Sequence, residues 1–146
     1  MPQPFRFRLQ TALEWRERSE AEMRWQFATA ERILREAIDA RKRLRVRRAE
    51  VVEQVRRGDP GAMLNGSRCL EQINRQLAGA YVLVERQARE VELQRQRLLQ
   101  ACQDREALSR LRERRLAEHQ RLAARTEARE LDEIAMRRTK SPTAVL

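Results

Sequence analysis

The chain has 146 residues, of which 37% are charged, 4% are aromatic, 4 are glycine and 4 are proline. So few turn-formers cannot punctuate a many-stranded sheet, which makes a β-sandwich, a doubly wound α/β domain and a disulfide scaffold poor fits and leaves a single all-helical unit. The charge is lopsided: all but Lys42 and Lys140 of the 32 basic residues are arginine, against 22 acids, for a net of +10.

In chain order, the opening Met-Pro-Gln-Pro-Phe-Arg-Phe-Arg-Leu-Gln has early arginines but no apolar run behind them. Glu14, Glu17, Glu20 and Glu22 follow closely, a pattern unlike a secretory signal or an acid-poor transit peptide. From Phe5 to Arg57 nothing breaks a helix. Along it Leu9, Met23, Ala30, Ala37, Leu44 and Val51 recur in steps of seven, with Arg16 the one interruption. Three of the four glycines and Pro60 then fall between positions 58 and 66, so a turn is expected there. Gly58 suits the left-handed end of the first helix, and Pro60 suits the first turn of the next, where its missing N–H is not needed. The second helix is expected from about 67 to 138. Gly79 costs it about 1 kcal/mol relative to alanine without ending it. Met63, Leu70, Leu77, Val84, Val91 and Leu98 again recur in steps of seven, and a flexible tail is expected over 139–146.

A strict heptad sustained this far makes a left-handed supercoil, because a straight helix carries the stripe away by about 20° per heptad. The fold class is therefore all-α: a long two-stranded antiparallel coiled-coil hairpin with an overhanging C-terminal helix. In such a hairpin facing residue numbers add to a constant. The sum 121 pairs Met23 with Leu98, Ala30 with Val91, Ala37 with Val84, Leu44 with Leu77 and Val51 with Leu70, five layers apolar on both sides. The alternate layers are mixed, with Phe27 against Gln94, Leu34 against Gln87, Arg41 against Ala80 and Arg48 against Ile73. Arginine stems can lie along a seam while the guanidinium reaches water. The sum 128, with a wider loop from Gly58 to Gly66, also gives several apolar layers, and the pattern leaves both registers open, although 121 keeps Met23 off Arg105.

Either register leaves the end of the second helix without a partner for roughly 10 to 20 residues, and isolated helices of that length are marginal in water. Its apolar residues Ala124, Ala128, Leu131, Ile134 and Ala135 keep a helical period, so this overhang is the first candidate contact surface; the competing reading is a frayed charged tail.

Chemistry is hard to find. His119 is the only histidine, flanked by Glu118 and Gln120, with no second ligand at metal spacing. The Gly58–Gly66 stretch lacks the strand and the Lys-Ser/Thr of a phosphate loop. No nucleophile stands beside a base, so no catalytic residue, cofactor or metal is expected and the chain reads as a non-enzyme. Cys69 and Cys102 read as free thiols in a reducing cytoplasm. The longest charge-free run, Gln76 to Val84, is nine residues, where a membrane span needs roughly 20. The basic runs Arg41–Arg48 and Arg110–Arg115 could neutralise phosphates. Acids stand beside or within them at Glu50, Glu53, Glu106 and Glu113, aromatics for base stacking are few, and no docking signature accompanies them, which weighs against nucleic acid. An acidic protein surface is the better match for such a face. A nucleic-acid-binding coiled coil and a structural dimer remain the alternatives.

The opening Phe-Arg-Phe-Arg-Leu-Gln-Thr-Ala-Leu-Glu-Trp-Arg-Glu-Arg-Ser-Glu, the turn near position 58, and the close Glu130-Leu131-Asp132-Glu133-Ile134-Ala135 followed by Arg137 resemble the flagellar type III export protein FliJ family over nearly the full chain. That resemblance implies a small cytoplasmic coiled coil, peripheral at the inner face of the membrane. It implies a part like the central stalk of a rotary ATPase, with three partners: the flagellar export ATPase ring, the cytoplasmic part of the membrane export gate, and export chaperones. By the same analogy Leu131, Asp132, Glu133, Ile134 and Met136 would meet the ATPase ring, and Arg45, Ala49 and Tyr81 the gate. Leu70 and Ile73, near the same end, are expected to be core rather than partner contacts.

Overall fold

The computed structural model describes residues 3–140, apart from the side chain of Ala62. It contains two helices, α1 over Gln10–Arg56 and α2 over Pro60–Lys140, packed against each other as an antiparallel hairpin, and no strand among the described residues. Two compact units divide the chain, one comprising Ser19–Cys102 and the other the described residues up to Arg18 and from Gln103 onward.

In the Ser19–Cys102 unit the turn is tighter than the glycine-rich stretch suggests. Gly58 adopts the left-handed conformation at φ 75°; its N–H donates to the Val55 carbonyl (3.2 Å) and the Asp59 N–H to the Gln54 carbonyl (3.4 Å). These two bonds are a Schellman cap that satisfies the end of α1. Pro60 then opens α2 immediately, and the Met63 N–H donates to the Asp59 carbonyl at 2.9 Å. Residues 60–66 are therefore helical, and α2 begins seven positions before the expected 67. Gly66 is buried against α1, where a Cβ would come within 2.5 Å of Val55 Cγ2.

Cross-helix neighbours in this unit give the register. Arg48 Nε donates to Asn74 Oδ1 at 2.9 Å, Arg41 stacks over Tyr81 at 5.1 Å, and Val55 abuts Gly66; these pairs add to 121 or 122. Ala30, Ala37 and Leu77 are buried, and Met23, Leu44, Val51, Leu70, Val84, Val91 and Leu98 are half-buried. A two-stranded seam is open on both flanks, so half-burial is what a core position there attains. Ile73 is only 2% exposed, as expected of core.

The same heptad also carries polar groups inward. Glu20 (5% exposed), in step with Phe27 and Leu34, stands at the level of Ala101 and accepts a hydrogen bond from Arg24 one turn on. Gln94 (7% exposed) stands at the level of Phe27 and donates through Nε2 to Glu90 at 2.8 Å, while its buried Oε1 has no hydrogen-bond partner.

In the other unit the register is the same within one residue: Arg16 pairs with Asp104 at 3.1 Å and Arg112 Nε donates to Gln10 Oε1 at 3.2 Å. Residues 3–7 are not helical, whereas the sequence suggests helix from Phe5. Phe5 instead packs on His119, ring centroids 5.6 Å apart, with the Arg112 guanidinium 5.9 Å from its ring, and Phe7 is half-buried. Burying two phenyl rings outweighs the few exposed hydrogen bonds of one more helical turn. The Gln10 N–H donates to the Phe7 carbonyl (3.1 Å), and α1 starts there.

Candidate functional site

Two surfaces carry the residues singled out in the sequence. The first lies in the Ser19–Cys102 unit, along one flank of the seam. Arg45 and Ala49 from α1 and Tyr81 from α2 line one cavity of about 550 Å³ together with Arg48, Asn74, Leu77 and Ala78. The register brings them together: residues on one flank of each helix meet their counterparts on the same side of an antiparallel pair. Tyr81 is 48% exposed, its ring face held by Arg41 and the rest open. A phenol in this half-wet position offers apolar area and a hydroxyl at low entropic cost. Arg45, with Lys42, Arg43 and Arg47 nearby on α1, forms no ion pair among the described residues, so the face keeps its positive charge for a partner.

The second surface is the end of α2. Every residue from Ala124 to Lys140 is exposed, a stretch of about 25 Å at 1.5 Å per residue. Leu131 is 66% exposed, and Ile134 and Met136 are likewise open. At about 100° per residue Leu131, Ile134 and Ala135 share one face, while Asp132, Glu133 and Met136 point to others. The five residues thus encircle the helix rather than forming one patch. The expected tail at 139–146 begins inside the helix at Thr139 and Lys140, and from 141 it lies outside the described residues.

Two features went unread in the sequence. One is the cavity of about 1110 Å³ between the N-terminal segment and α2, lined by Phe5, Phe7, Leu9, Leu111, His119 and Leu122 among others. The phenylalanine-led opening was its only signal. The other is the buried Glu20 in the seam, which counting steps of seven from Leu13 through Glu20 to Phe27 would have found.

His119 is half-buried, its ring against that of Phe5. Among the described residues no group of three or more His, Cys, Asp or Glu could hold a metal, both cysteines are free thiols, and no helix is long and apolar enough to cross a membrane.

Neither curated proteins nor solved structures include a match to the chain. A family model described as flagellar FliJ protein matches residues 5–142, spanning both helices and both surfaces. The chain therefore belongs to the flagellar FliJ family, whose members are non-catalytic components of the flagellar protein export apparatus.

Proposed function

We propose that the protein is a stalk-like coupling element of flagellar type III export, engaging the export ATPase ring with the end of α2 and the cytoplasmic part of the export gate with the flank around Tyr81. The observation that carries the reading is a helix paired along most of its length and then exposed on every side from Ala124 to Lys140. A helix whose apolar and acidic residues face all directions suits a site that surrounds it, such as the bore of a ring, better than a flat partner. The gate flank is the complementary case: Arg45, Ala49 and Tyr81 face one way and form a cavity on a single side. Its unpaired arginines favour a partner segment that brings carboxylates, since Arg–carboxylate pairs are directional and bidentate. The protein supplies no chemistry itself; it acts in the cytoplasm at the inner face of the membrane, and escort of export chaperones is part of the same role.

Deleting Glu130 to Leu146 tests the ring contact. Helicity per residue by circular dichroism should stay close to that of the full chain, while co-purification with the hexameric export ATPase is lost. Retained binding refutes the contact. Changing Arg45 to Glu together with Tyr81 to Ala should weaken binding to the cytoplasmic part of the gate and leave ring binding intact; loss of both, or of neither, removes the division of labour.

A further inference from the structure

The seam of the Ser19–Cys102 unit can be satisfied twice. In the observed register Ala30 stands level with Val91, Ala37 with Val84, Leu44 with Leu77 and Val51 with Leu70. Slipped by one heptad, Ala30 would face Leu98, Ala37 would face Val91, Leu44 would face Val84 and Val51 would face Leu77. These four layers are apolar on both sides in either register, because a heptad slip returns every seam position to the seam; the fifth differs, since Met23 would leave the level of Leu98 for that of Arg105. The mixed layers do not favour the observed register. It leaves the Gln94 Oε1 buried without a partner at the level of Phe27; the slipped one would carry the same amide to the level of Leu34, while putting Ala101 opposite Phe27 and Val55 opposite Ile73.

Beside the cross-helix pairs such as Arg48 with Asn74, what selects the observed register lies at the turn. The first two turns of α2 contain Gly61 and Gly66, with Met63 and Leu64 at 64% and 84% exposed, so this segment has poor helix propensity and little burial to hold it. Within it the backbone of Gly66 lies close against Val55, an approach that no residue with a Cβ could make unchanged. In the slipped register residues 58–66 form a wider loop, and position 66 carries no such demand.

We propose that the hairpin is a two-register device, in which α2 slips along α1 by seven residues, about 10 Å, as Pro60–Gly66 unwinds into the loop. The slip exchanges the neighbours of Tyr81: Arg41 leaves its ring and Arg48, released from Asn74, takes its place. The flank cavity is thereby remade, and a partner that binds it in one register shifts the equilibrium between the two by its differential affinity. The inference stands apart from the identity of that partner.

Cross-linking of the full chain carrying Cys69→Ser and Cys102→Ser tests it. Ala37→Cys is combined in turn with Val84→Cys, Val91→Cys and Leu98→Cys, which face it in the observed register, in the slipped register and in neither. Intrachain disulfide formation under mild oxidation of dilute protein is followed by non-reducing gel and mass. The Val84 pair should close fastest, and the Val91 pair at least about tenfold faster than the Leu98 pair, as a populated minor register requires. Gly66→Ala should raise the rate of the Val91 pair relative to the Val84 pair by about fivefold or more by penalising the observed register, and adding Val55→Ala should return the ratio towards its parent value. Equal rates for the Val91 and Leu98 pairs would mean opening by unfolding and overturn the proposal. So would a Gly66→Ala variant with an unchanged ratio, or a ratio that Val55→Ala fails to restore.

Discussion

Replacing Ile73 by alanine is the most direct test of the seam. Ile73 is 2% exposed, the most deeply buried apolar side chain among those described. Arg48 stands at its level and sends its guanidinium sideways to Asn74 at 2.9 Å, so no charged head lies over it. The substitution removes three carbons, worth about 2.4 kcal/mol at roughly 0.8 kcal/mol each, before any residual cavity is counted. Large-to-small changes of this kind cost about 2 to 5 kcal/mol, and a seam open on two flanks collapses more readily than a globular core, so about 2.5 to 3.5 kcal/mol is expected. In a chain of about 150 residues that corresponds to a fall in Tm of roughly 5 to 12 °C. Thermal unfolding followed by far-ultraviolet circular dichroism measures it, with Leu131→Ala as the reference. Leu131 is 66% exposed, and its truncation should change stability by no more than about 0.5 kcal/mol. Equal shifts for the two variants would refute the seam assignment of Ile73.

Two buried polar residues should behave in the opposite sense. Gln94→Leu removes an amide oxygen that is buried without a partner, and should raise stability by about 1 to 2 kcal/mol in the same assay. Glu20→Leu removes the buried half of its pair with Arg24, whose side chain is 65% exposed and is left to water, and should be neutral or stabilising by no more than about 1 kcal/mol. A fall in Tm for either would show that the polar group supports the fold. On the surface, the hydrogen bonds from Arg95 hold the Glu92 carboxyl below its ordinary value. Its contribution is thus present above the pH at which an unfolded glutamate ionises and is lost as pH falls through the lower folded value. A carboxyl NMR titration should place Glu92 below the other exposed glutamates, and Arg95→Gln should abolish the difference; because the pair is fully exposed, Tm should be insensitive to that change.

Much of the architecture is local and therefore readable along the chain. The steps of seven through Met23–Val51 and Leu70–Leu98 require a two-stranded supercoil, since only a 3.5-residue repeat keeps those positions on one face. Gly58 and Pro60 mark the end of one helix and the start of the next because each has a backbone requirement that few other residues meet. The family resemblance also rested on linear sequence, the phenylalanine-led opening and the Leu131–Ala135 stretch, and the match over residues 5–142 bears it out.

The register was different in kind. A heptad repeat is blind to displacement by seven residues, so the two sums could not be separated by pattern. The Schellman cap at Gly58 and the helix restarting at Pro60, both local, combine with the close approach of Gly66 to Val55 across the seam to select 121. With the register came the cavity around Tyr81, and in the other unit the packing of Phe5 on His119 displaces the start of α1. Composition and periodicity by themselves determined that this chain is a basic antiparallel hairpin with an overhanging end, because those properties depend on which residues follow one another. Which residues stand opposite each other, and so which surface a partner meets, was decided by the tertiary structure, because the seam's repeat returns at each heptad and the turn and cross-helix pairs such as Arg48 with Asn74 hold one setting.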